Sequence, residues 1–152
     1  MQQFQEVFCF LVDDHRFVLA LHQVERVIHA VAIHPVPDSS PIVYGLVDYH
    51  GKVVPVLNFR YRSGLDEKPL GVNDFLILAI TSKRKFFIIA TDVQGIIEIP
   101  GQDIISSSDL DSGIGASGVF RRDDGIFFIY DLEKFMTSDE GIELDQVIDK
   151  NR

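Results

Sequence analysis

The chain has 152 residues, 46% of them hydrophobic, and a net charge of −9 from 14 basic and 23 acidic side chains. That length is enough for a real hydrophobic core, and a single cysteine, Cys9, excludes an internal disulfide. The acidic balance disfavours nucleic acid as a general partner. No apolar run approaches the ~20 residues of a membrane helix, and the N-terminus has neither the basic start nor the small-residue cleavage site of a signal peptide, so a soluble, cytoplasmic chain without direct membrane insertion is expected.

Short strands dominate the pattern. Residues 4–12 are apolar and β-prone, residues 13–16 make a polar turn, and residues 17–21 resume, which is a hairpin signal. Val24, Val27 and Ile28 recur at helical spacing, predicting one helical turn that runs into a strand. Pro35, Pro37 and Pro41 bar a central strand and a helix interior, so residues 33–41 are expected as an extended loop. A second hairpin follows over residues 75–90, with its turn at 82–85 and the Lys83-Arg84-Lys85 cluster as a solvated turn. The Ser/Gly-rich stretch 106–117 reads as a surface loop. At the C-terminus Ile142, Leu144, Val147 and Ile148 form an apolar stripe among acids, the pattern of a docked helix or, alternatively, of a partner-binding one.

The most informative feature is an internal repeat. Residues 7–29 lie on residues 76–98 without a gap: Val7 meets Leu76, Phe17 meets Phe86, Val24 meets Val93 and Val27 meets Ile96. After a short insertion in the second copy, Gly45 meets Gly118, Gly51 is answered by Gly125, and Asn58 meets Asp131. Both copies read as strand, tight turn, strand, then a polar residue suited to capping a short helix. Gly45, Gly51, Gly118 and Gly125 are assigned to turns, where glycine takes conformations with φ > 0. A run of short strands written twice predicts two small barrels or one double sheet. Each half, at about 70 residues, is marginal for a core of its own, so the halves should pack together, with residues 62–73 as the boundary.

A search for chemistry returns nothing with the required spacing. The five histidines, His15, His22, His29, His34 and His50, lack the paired Cys/His spacing of a zinc site. Cys9 sits in an alternating strand, where a thiol is a small hydrophobe. There is no nucleophile elbow, Walker loop or dinucleotide fingerprint. Asp13-Asp14 and Asp123-Asp124 fall in turns, where Asp is favoured for local reasons. No catalytic, cofactor or metal residue is assigned.

The stretch from Pro41 through Gly45, Asp48-Tyr49-His50-Gly51 and Pro55 to Asn58-Phe59-Arg60 resembles the signature of CheW-like domains. Residues 17–28, 87–97 and 125–133 resemble the remaining slots of the family, so the similarity runs over residues 4–136. The resemblance implies a mainly β fold, two five-stranded Src-homology-3-like barrels packed together, with short helices and a C-terminal helix. The implied division is a first barrel over 13–72, a second over 73–136 completed by the N-terminal strand 4–12, and a C-terminal helix and tail over 137–152. It further implies a non-catalytic adaptor. Its partners would be the regulatory domain of a CheA-type histidine kinase, bound by apolar barrel ends, and the cytoplasmic tip of a chemoreceptor, bound by the groove between barrels. Alternatives are a CheW-fold adaptor of another system, such as pilus-based motility, and a ligand-binding or enzymatic double barrel. The motif positions point to Val24, Arg26 and Val27, with Asp48, His50 and Lys52 on the neighbouring hairpin, as partner contacts. Arg26 stands where the family often has Glu, and His50 where it usually has Arg, so the usual charges are changed at both places.

Overall fold

The structure, a computed structural model, describes residues 4–106, 117–122, 125–135 and 138–150. The strands are β1 (Phe4–Val12), β2 (His15–Ala20), β3 (Val24–His29), β4 (Val43–Tyr49), β5 (Lys52–Leu57), β6 (Phe75–Ile80), β7 (Lys85–Ala90), β8 (Asp92–Pro100), β9 (Ile105–Ser106), β10 (Gly118–Arg122) and β11 (Gly125–Tyr130). Helix α1 (Phe59–Ser63) follows β5 in the first half, and α2 (Leu132–Phe135) and α3 (Ser138–Lys150) follow β11 in the second. Both expected hairpins form: Val12 faces His15 across a turn tighter than the polar stretch suggested, and Ile80 faces Lys85 across a four-residue turn one position earlier than expected.

The strands assemble into two sheets, ordered β8-β1-β2-β11-β10-β9 and β3-β6-β7-β5-β4. These are the two barrels of a mainly β fold, each with the same plan. In both, a hairpin at the centre is flanked on one side by a third strand and on the other by a parallel neighbour, β11 beside β2 and β5 beside β7. The extra strand β9 has its counterpart in the first half as a single bridge between His34 and Leu46.

The sheets also show that the halves trade hairpins. β1 and β2 pair with strands of the second half, and β6 and β7 with strands of the first. The division at residue 13 expected from the sequence therefore corrects in one respect: not only strand 4–12 but the whole hairpin through Ala20 crosses over, and residues 75–90 cross in return. The physical reason lies in burial. Val7, Cys9 and Val18 face the interior of their own barrel with Ile99, Phe120 and Phe127. Their neighbours Phe8, Phe10, Val12, Phe17 and Leu19 face the other way, into a core shared with Ile77, Ala79, Phe86, Ile88 and Ala90 of the second hairpin. Leu76, Leu78 and Phe87 fill the first barrel, built on β3, β4 and β5, with Val47, Val54 and Val56. Strands buried on both faces read as continuous apolar runs, as β1 and β6 do, and such hairpins belong at the middle of the molecule.

The glycines divide by role. Gly51, with φ 80°, completes the turn that His50, with φ 52°, begins, a left-handed pair suited to the twist of a two-residue hairpin. Gly125, with φ 139°, opens β11. Gly45 and Gly118 lie inside strands rather than in turns. A Cβ on Gly45 would stand 2.6 Å from Ile33 Cγ2 and 2.7 Å from the His34 carbonyl oxygen, and one on Gly118 would stand 2.7 Å from the Ile105 carbonyl oxygen. Glycine at these two places permits a close crossing of a neighbouring segment, repeated in both halves.

The C-terminal stripe docks: Leu144 and Val147 are buried in the shared core, while Ile142 stays exposed. Arg84 holds Asp145 at 3.0 Å and Arg62 holds Glu140 at 3.4 Å.

Candidate partner-binding surfaces

The two barrels are joined by polar locks in equivalent places. At the β1–β2 turn, Asp13 takes a left-handed backbone, φ 56°, which Asp tolerates better than most residues. Its carboxylate accepts from both terminal nitrogens of Arg60 at 2.7 and 3.0 Å, and from Lys68 at 3.1 Å. The forked guanidinium holds the Asp13 carboxyl well below the usual carboxylate range, and the pairing raises Arg60 in turn. In the other half, Ser82 at the β6–β7 turn donates its backbone N–H and its hydroxyl to Glu133 of α2. Those two bonds lower the Glu133 carboxyl. Turn residue and helix residue belong to different barrels in both locks.

A third link is internal. Gln23, 3% exposed, donates to Asp131 Oδ1 at 3.2 Å and accepts from the Leu132 N–H at 3.3 Å. Asp131 Oδ1 also accepts from the Glu133 N–H at 3.0 Å, and Asn58 accepts from the Tyr61 N–H at 3.1 Å, so both expected helix caps are present. Nothing in the local sequence around Gln23 announces its role, because its partners come from the far end of the chain.

Of the sequence-predicted contact residues, Val24, Arg26 and Val27 lie on strand β3 rather than on a helical turn; the 3₁₀ turn ends just before, at Gln23. A bulge between Val24 and Arg26 interrupts the alternation, so both valines face the shared core. That spacing is also what one helical turn produces, which explains the misreading. Val24 and Val27 are half-buried, and Arg26 is exposed between them. β3 and β8 are the outer strands of their sheets, and the repeat-related Val24 and Val93 both pack from there onto the shared core. The β3 surface therefore lies at the junction of the barrels. Glu25 beside it holds Lys85 at 2.9 Å.

Asp48, His50 and Lys52 come together on the β4–β5 hairpin, all exposed. His50 packs edge-on to Tyr49 with ring centroids 4.3 Å apart. This hairpin is at the opposite end of its sheet's strand order from β3. The residues of a third surface, an apolar barrel end of the kind the resemblance implies, were not named from the sequence. One end of the second barrel, the one built on β8, β10 and β11, opens into an apolar depression of about 300 Å³, lined by Val7, Ile99, Ile104 and Ile129 and rimmed by His22 and Glu133. Its residues are scattered through the chain and meet only after the hairpins exchange. Among the described residues no group of His, Cys, Asp and Glu is placed to hold a metal ion, and no helix is long and apolar enough to cross a membrane.

Residues 6–140 match the CheW-like domain family. The chain belongs to that family. It is 30% identical to Protein FrzA of Myxococcus xanthus over 66% of this chain and 63% of that protein. It is 25% identical to the chemotaxis protein CheW of Treponema pallidum over 91% of this chain and 85% of that one, and 25% identical to the chemotaxis protein CheW of Thermotoga maritima over 90% and 93%. The crystal structure of the scaffolding protein TtCheW from Thermoanaerobacter tengcongensis superposes with a TM-score of 0.74 at 19% identity, covering 84% of this chain and 88% of that one. The CheW-like fold implied by the resemblance, and consistent with the twofold repeat, is thus the fold observed.

Proposed function

We propose that this chain is a non-catalytic scaffold that couples a chemoreceptor to a CheA-type histidine kinase in bacterial chemotaxis. The observation that carries the reading is near-full-length likeness to proteins named for chemotaxis coupling, over 91% of the chain in the Treponema pallidum case. The physical chemistry of the molecule agrees with it. The interlocked hairpins give a rigid body, and rigid surfaces bind with little ordering cost. The open barrel end offers an apolar centre with a charged rim, the anatomy of a protein interface. The half-buried Val24 and Val27 with exposed Arg26 provide a second surface at the barrel junction, and Asp48, His50 and Lys52 a third on the hairpin. We assign the kinase to the barrel end and the receptor to the junction.

Charge sets the choice of partner. Arg26 keeps its charge at all physiological pH, and His50 lacks the permanent fork of an Arg, so the cognate partner must present an acid to the β3 surface. Titration calorimetry with the cognate kinase regulatory domain and receptor tip tests this. Binding to at least one, weakened about tenfold by Arg26→Glu with His50→Arg, is the expected outcome, equivalent to ~1.4 kcal/mol. Unchanged affinity in the double variant removes the contact assignment; no binding to either partner removes the function. A second reading, an adaptor for a different signalling system, is favoured by the 30% identity to FrzA, a relative that does not carry the CheW name.

A further inference from the structure

The duplication exposes a difference between the halves. On β5, Val53, Pro55 and Leu57 alternate onto the outer face of their barrel, and α3 packs against that strand. Leu144 and Val147 enter the shared core there, and Ile148 sits beside Lys52 and Val53. Arg84 fixes the helix through Asp145 and lies so close under Gly141 that a Cβ there would stand 2.8 Å from the guanidinium. The helix face is therefore made to fit.

The repeat places Ile126, Phe128 and Tyr130 of β11 where Val53, Pro55 and Leu57 stand, and His15 where Arg84 stands. Tyr130 is buried against Phe59 of α1 and Phe135 of α2, and the open part of the face is Ile126 and Phe128. Ile126 is 49% exposed, Phe128 is half-buried, and beside them a depression of about 260 Å³ is lined by His15, Phe17, Leu65, Phe128 and Tyr130. The rings of Phe17 and Phe128 lie 5.8 Å apart and form its floor. An apolar strip of this kind on a folded surface marks a place where something binds.

We propose that this β11 face is a docking site for an acidic amphipathic helix of a partner protein, seated as α3 is seated on β5. The charge at the rim selects the sign. Asp48 stands directly across from Val53 in the occupied half, whereas Arg121 stands directly across from Ile126 in the open one. An incoming helix with a face like that of α3, which carries Asp139, Glu140, Glu143, Asp145 and Asp149, meets an exposed cation at the position where the occupied half has an acid. A second copy of α3 is disfavoured as the natural occupant, because it would leave its ion pairs with Arg84 and Arg62 and its buried Leu144 and Val147. The site comes from the duplication alone and does not depend on the kinase and receptor assignment: Ile126 and Phe128 alternate with Phe127 and Ile129, which pack into the barrel interior, and none of β3 contributes to it.

The test uses a hydrocarbon-stapled peptide with the sequence of residues 138–150 as the acidic helical probe, titrated into the full-length, isotope-labelled chain and followed by NMR. Saturable shifts centred on Ile126, Phe128 and Leu65 are expected, with affinity reduced at least tenfold in Ile126→Glu and several-fold in Arg121→Glu. Both variants change exposed side chains, and their spectra report that the fold is intact. Absence of shifts at a large excess of peptide overturns the proposal, as does equal binding to Ile126→Glu. Shifts confined to Val53 and Ile148 overturn it as well, since the peptide then only exchanges with the resident helix. Concentration-dependent self-association that Ile126→Glu abolishes would give the face to a second copy instead.

Discussion

Replacing Asp13 with Asn removes the charge at the centre of one inter-barrel lock while keeping a residue that tolerates the left-handed backbone at φ 56°. The side chains of Arg60 and Asp13 are 13% and 29% exposed, so Arg60 loses its anion in a partly dry setting. Charge-assisted bonds of this type contribute roughly 1.5–3 kcal/mol each in favourable cases. Allowing for the partial exposure of Asp13, the variant should lose about 2 kcal/mol at neutral pH. For a domain of this size that is a fall in Tm of roughly 4–8 °C. The pH dependence gives a sharper check. The native carboxyl sits well below its ordinary value of 3.8, so the unfolded chain takes up its proton first as pH falls. The stabilisation is fully present above the ordinary carboxylate range, declines as pH drops below about 4, and is gone once the native carboxyl is also protonated. Urea unfolding between about pH 5 and pH 2 should therefore show a steeper loss of stability in the native chain than in Asp13→Asn, with the two curves converging at the acid end. Identical slopes, or a neutral-pH Tm within a degree of the native chain, would refute the reasoning.

Two further outcomes follow from the architecture. Gly45→Ala and Gly118→Ala should each cost roughly 1–3 kcal/mol in urea melts, because the new methyl group meets backbone or a packed side chain under 3 Å away; near-neutral results would mean that the crossings are loosely held. Fragments 1–72 and 73–152, produced separately, should each be unfolded by circular dichroism and form a folded one-to-one complex when mixed, since each barrel takes its central hairpin from the other fragment; a folded 1–72 alone would contradict the exchange.

Much of this was legible before the structure because repeat and period are local signals. The alignment of Phe17 with Phe86 and Gly45 with Gly118 announced one plan written twice, and Asn58 and Asp131 announced their own caps. Which barrel each hairpin joins was not legible in full. A strand buried on both faces carries no alternation to say which sheet it pairs with, so β2 was placed with its sequence neighbours. The β3 bulge produced a helical spacing in a strand. Gly45 and Gly118 were read as turn residues because the sequence does not reveal the segment that crosses above them. The contact residues fared in the same way. Exposure of Arg26 and His50 follows from their type, but the apolar barrel end depends on Val7, Ile99, Ile104 and Ile129 meeting in three dimensions.

The central claim, that this chain acts by joining other proteins, is tested most directly by the autophosphorylation rate of the CheA-type kinase from the same cell, measured with its receptor signalling fragment on vesicles in the presence and absence of the chain. The account predicts that kinase activity becomes receptor-dependent only when the chain is added in stoichiometric amount, with all three proteins sedimenting together. Receptor-dependent activity that is the same without the chain, or a chain left in the supernatant, would contradict it.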